Sequence, residues 1–85
     1  MQRKQGRIGK PQEYVEFDLG EKSIIAQESG GNWIVYLSHH GRNAPAVTLH
    51  AFTQSREGTR TAKATAVSAA EVAAEALEAD SKLKR

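Results

Sequence analysis

The 85-residue chain contains no cysteine, which excludes disulfides, thiolate chemistry and the sulfur half of the common zinc sites. No apolar run approaches the roughly 20 residues that a membrane-spanning helix needs, and no signal-peptide-type stretch follows the charged first residues. A cytoplasmic protein without a membrane partner is the expectation. A phosphate-binding loop is also lacking, because Gly6-Arg7-Ile8-Gly9 opens no helix. Of the three histidines, His39 and His40 are adjacent, so on an extended segment they point opposite ways and do not converge with His50 on one ion. Ser38 beside His39 is not a catalytic arrangement by itself, since a Ser-His-acid set is assembled in space. Glu16 and Asp18, two apart on a strand, read as a solvated face rather than an acid–base pair. The expectation is a protein with no catalytic residues, no metal and no cofactor.

What the sequence does have is a centre. Trp33-Ile34-Val35-Tyr36-Leu37 is apolar at every position, as suits a strand with apolar neighbours on both faces. Before it, Ser29-Gly30-Gly31-Asn32 has the two glycines that a type I′ hairpin turn accommodates. That turn sets a register in which Glu28 faces Trp33, Ala26 faces Val35 and Ile24 faces Leu37. Residues 14–19 alternate, with Val15, Phe17 and Leu19 on one side. A four-residue loop, Gly20 to Ser23, then sets Leu19 opposite Ile24 and Phe17 opposite Ala26. Residues 46–53 form a fourth strand, and residues 59–67, in which Thr and Lys alternate with Arg and Ala, a fifth. Ser68-Ala69-Ala70-Glu71 is a capping box opening a C-terminal helix.

The predicted fold is α+β: an antiparallel meander sheet of four to five strands with one C-terminal helix packed on one face. Residues 1–11 are predicted as a flexible basic arm and residues 12–85 as a single small domain. The predicted core is Val15, Phe17, Leu19, Ile24, Trp33, Val35, Leu37, Val47 and Leu49 from the sheet, with Val72, Ala76 and Leu77 from the helix. A domain of this size buries only about 60–65% of its unfolded surface, so one thin core is its limit.

Charge is uneven. Residues 1–10 carry Arg3, Lys4, Arg7 and Lys10 and no acid, so the other 75 residues sum to −2 within a total of +2. Arg42, Arg56, Arg60 and Lys63 form a second basic stretch, opposed locally by Glu57. Basic arms and loops of this kind contact phosphates without reading sequence. The first expectation is therefore a non-catalytic protein that contacts nucleic acid, or a nucleoprotein, through these eight residues. The alternative is a small protein-binding regulator or inhibitor, of the sort a phage or other mobile element encodes. It would act through a sheet edge or through the outer sheet face, where Tyr14, Ile25, Ile34 and Tyr36 gather; the same face is a candidate homodimer surface.

Strands around Gly30-Gly31-Asn32-Trp33, a turn at residues 39–45 and the closing helix at residues 68–79 resemble the three-strand-and-helix pattern of integrase arm-binding and plant-type DNA-binding domains. The helix is also similar to the closing helix of double-stranded-RNA-binding domains. The resemblance spans roughly residues 23–80 and implies DNA or RNA contact. The chain departs from it on the outer sheet face, which carries Glu16 and Asp18 in place of a row of arginines, so no membership is claimed.

Overall fold

A computed structural model of the protein describes residues 1–41, 46–52 and 59–83, with the side chains of 52, 59–61 and 81–83 outside that description. Five strands, β1 (Gln2–Gly6), β2 (Tyr14–Asp18), β3 (Lys22–Ser29), β4 (Asn32–His39) and β5 (Val47–Phe52), precede one helix, α1 (Thr59–Leu83). The strands lie in chain order in one antiparallel sheet, and α1 packs on one face, so the predicted α+β meander is the observed fold.

The β3–β4 hairpin forms as its turn dictates. Gly30 and Gly31 take φ of 59° and 89°, the left-handed region that a type I′ turn requires at both central positions. The register follows, with Glu28 opposite Trp33, Ala26 opposite Val35 and Ile24 opposite Leu37. The β2–β3 register differs from expectation by two residues: Phe17 faces Ile24 and Val15 faces Ala26. The turn is tighter than read, because Asp18 Oδ1 accepts the Gly20 N–H at 2.8 Å and the Leu19 N–H reaches the Lys22 carbonyl at 2.9 Å. A shift of two preserves the side-chain parity, so every residue keeps its face.

Several expectations are corrected. Residues 2–6 are not a free arm but the edge strand β1, paired along its length with β2. The strand escapes a hydrophobicity reading because QRKQG is polar on both faces, as edge strands often are. Residues 59–67 are helix, not strand, so Ser68 sits inside α1 instead of capping it. The spacing Ala62, Ala66, Ala70 and Ala74 fits both a strand face and a helical stripe, and alanine's strong helix propensity decides. These four alanines are buried, whereas Val72, expected in the core, is 64% exposed and Ala76 is exposed too. Finally, a bulge between Val35 and Tyr36 breaks the alternation of β5, placing His50 opposite Val35 and Thr48 opposite Tyr36. Leu49 is therefore left out of the pairing and stands outside the core, 38% exposed, while Val47, opposite Leu37, is 51% exposed at the start of the strand.

The core joins Val15, Phe17, Ile24, Ala26, Trp33 and Val35 on the sheet to the alanine stripe on α1. Bulky groups from the sheet meet methyl groups from the helix, so the helix axis lies close. Leu19, Leu37, Val67 and Leu77 close the rim. Trp33 is buried, and its indole Nε1 has no hydrogen-bond partner. Such a donor costs about 1–3 kcal/mol, which the packing of the ring offsets.

Candidate functional site

On the face away from α1, cross-strand pairing arranges side chains in rows. One runs Lys4, Glu16, Ile25, Tyr36, Thr48; the next runs Gly6, Tyr14, Gln27, Ile34, Ala51. The four residues expected to gather there do so. Tyr14, Ile25, Ile34 and Tyr36 are each half-buried, and among the described residues no helix or further strand covers them. The Tyr36 hydroxyl donates to Gln27 Oε1 at 3.0 Å, and burial, helped by the negative charge of Glu16, pushes the Tyr36 phenol above its ordinary value. The Tyr14 ring lies over Gly6 so closely that a β-carbon there would sit 2.5 Å from the ring. Glycine at position 6 is what admits the ring, an aromatic cover for a bare edge position.

The acids of this face are engaged. Lys4 Nζ bonds Asp18 Oδ2 at 3.0 Å. The Asp18 carboxyl lies below the ordinary aspartate value, first through the Gly20 N–H and then through Lys4; the hydrogen bond to Asp18 raises Lys4 in return.

A cluster that sequence reasoning missed stands at the far end of the same face. Ser23, with no exposed surface, donates from Oγ to Glu16 Oε2 at 2.6 Å, and its oxygen lies 2.6 Å from His40 Nε2. His40 Nδ1 faces the Gly20 carbonyl at 2.8 Å, and a carbonyl only accepts, so that nitrogen carries a hydrogen and donates it. Serine, histidine and carboxylate thus meet around a serine side chain that has no exposed surface. The cluster ties the turn at residues 40–41 to the sheet, helped by the His40 N–H on the Glu21 carbonyl at 2.9 Å. The two-residue register difference is what hides it, since it moves Ser23 from loop to strand. Among the described residues no three histidine, aspartate or glutamate side chains converge as metal ligands.

The expected nucleic-acid residues are divided. Arg3, on the helix side of β1, places its guanidinium 5.7 Å from the centre of the Phe17 ring, a cation–π contact. Lys4 pairs with Asp18 and Lys63 with Glu13. Arg7 Nε donates to the Pro11 carbonyl at 2.8 Å, and Arg7 and Lys10 are exposed in the β1–β2 connection. Arg42, Arg56 and the Arg60 side chain lie outside the described residues. The fold does bring the β1–β2 connection and the start of α1 to one end of the sheet, because both adjoin the end at which β5 finishes. No helix among the described residues is long and apolar enough to cross a membrane. No family model matches the chain, and neither a curated protein nor a solved structure matches it.

Proposed function

We propose that this protein is a non-catalytic binding module whose open sheet face receives a protein partner. The observation that carries the reading is the set Tyr14, Ile25, Ile34 and Tyr36, held at half burial on a sheet face that no described element covers. Aromatic and aliphatic groups bounded by charge are what a protein interface uses, and Glu16 and Asp18 on the same face repel phosphate. The nucleic-acid reading rests on a separate observation, the exposed Arg7 and Lys10 beside the start of α1.

One experiment separates the two. Binding partners are captured from nuclease-treated cell lysate by wild type, by Ile34→Glu and by an Arg7→Gln/Lys10→Gln double variant, alongside binding to unrelated DNA and RNA oligonucleotides over a salt series. The proposed reading expects a protein partner lost with Ile34→Glu, kept by the double variant, and independent of nuclease. Oligonucleotide binding that the double variant abolishes, flattening log K against log salt by about 1.4–1.8 for two phosphate contacts, with no partner lost with Ile34→Glu, would favour the basic end instead.

A further inference from the structure

We infer that the protein pairs with a second copy of itself along β5, joining two five-stranded sheets into one continuous sheet. This goes beyond the open-face reading and uses a different surface. β5 is an outer strand, bonded to β4 on one side only. Its sequence, VTLHAF, contains neither a charged residue nor a proline, and residues 46–51 are all exposed. Edge strands of stable monomers are usually blunted by charge, proline or a covering element, because their unpaired N–H and C=O groups recruit another strand. The one blunting device in β5 is its bulge, and that bulge sets Leu49 outside the alternation with its apolar side chain 38% exposed. Val47, 51% exposed, adds a second apolar group to the same strand.

The helix leaves room on this side. A groove of about 710 Å³ runs between β5 and α1, lined by His50, Thr65, Ala69, Ala73 and Ala76, with Val72 on its rim. A strand added to β5 would bring its own sheet's helix-side residues over that groove, extending the core across the junction.

The occupant follows from comparing the two edges. If β5 docked on β1 of another copy, an uncharged apolar strand would lie against Arg3 and Lys4, and head-to-tail addition would continue without closing. Antiparallel β5–β5 pairing about a two-fold axis instead matches an apolar strand with an identical one. It leaves only the two charged β1 edges outermost, so assembly stops at two. A foreign strand would find no charge on β5 to select it, whereas a second copy is always present at equal concentration.

The test is sedimentation velocity on the full chain from low to high micromolar concentration, for wild type, Leu49→Lys and Tyr36→Glu. Self-pairing expects a wild-type dimer, a monomeric Leu49→Lys with unchanged circular dichroism, and a dimeric Tyr36→Glu. Because the chain has no cysteine, Leu49→Cys gives a second readout that does not depend on how the lysine variant folds. Under mild oxidation it should form a disulfide dimer far faster than Tyr36→Cys. Wild type monomeric throughout, or a dimer that Tyr36→Glu abolishes and Leu49→Lys leaves intact, overturns the inference. Neither result removes the open face as a site for a different partner, since the capture experiment tests that independently.

Discussion

The two edges of this sheet are built on opposite plans. β1 is polar on both sides, and its charged groups have an occupation, Lys4 holding Asp18 and Arg3 lying over the Phe17 ring, while Tyr14 roofs Gly6. Its groove against α1, about 460 Å³, has Arg3, Lys63, Glu71 and Glu75 among its lining residues. β5 has apolar residues in the open, a bulge in place of a regular ladder, and a groove half of whose lining residues are alanine. Among the described residues, one edge is occupied by its own side chains and the other is not. The difference teaches that apolar content does not identify the core in so small a sheet: Val47 and Leu49 stand in water, while β1 earns its place in the sheet without a single large aliphatic group.

The largest effect that sharpens this contrast is expected in the core beneath β1. Phe17→Ala should destabilise by about 3–5 kcal/mol, as for other buried phenylalanines, and should loosen β1 as well by removing the ring under Arg3. Leu49→Ala, by contrast, should cost less than about 1 kcal/mol in the monomer, since only part of the side chain is buried. Urea unfolding of both variants at low concentration decides. A cost for Leu49→Ala like that of a buried leucine, about 2–5 kcal/mol, would place β5 in the core and erase the contrast.

The next effect concerns where the helix sits. Ala70, fully buried against the sheet, has no room for a larger group, and Ala70→Leu should cost about 1–3 kcal/mol by overpacking. Ala76 faces the groove beside β5 and is exposed, so Ala76→Leu should leave the melting temperature within a few degrees of wild type. Equal costs at the two positions would mean that α1 covers both sides of the sheet alike.

The smallest effect is electrostatic and belongs to the β1 edge, where Lys4 of β1 meets Asp18 of β2. The folded pKa of Asp18 lies below its unfolded value, so the folded state binds fewer protons there. The resulting stability is present above the ordinary aspartate pKa and is lost as pH falls through the folded value. Lys4 works in the opposite sense: its contribution is present below the ordinary lysine pKa and is lost only as pH rises through its raised folded value. Asp18→Asn should therefore flatten the acid limb of melting temperature against pH, by lowering the neutral-pH melting temperature slightly while meeting wild type in acid, where Asp18 is protonated in both states. An unchanged acid limb would separate Asp18 from the acid sensitivity of the fold.

How much of this was legible in the sequence depended on whether one physical signal acted alone. The β3–β4 hairpin was read to the residue, because two glycines at a turn fix both geometry and register. The open face was legible for the same reason: parity survives a register shift of two, so Tyr14, Ile25, Ile34 and Tyr36 stayed together. Where two signals competed, the reading failed. Residues 59–67 alternate like a strand, but Ala62 and Ala66 also begin a stripe that recurs every fourth residue, and alanine's helix propensity, together with the packing of that stripe in the core, separates the two. β1 gave no apolar signal, since a strand held by backbone pairing and one cation–π contact needs none. The Ser23–Glu16–His40 cluster required a register known to better than two residues.

The alanine stripe has a consequence for synthesis. All four of its buried members lie in the last quarter or so of the chain, from Ala62 to Ala74. The strands that carry Phe17, Ile24 and Trp33 leave the ribosome first and are neighbours in both chain and sheet, so their hairpins can form early. The apolar face they create has nothing to lie against until α1 has emerged. For that interval the nascent protein displays an uncovered tryptophan and phenylalanine on a sheet whose β5 edge is also unguarded, which is the state a chaperone that reads apolar surface would meet first.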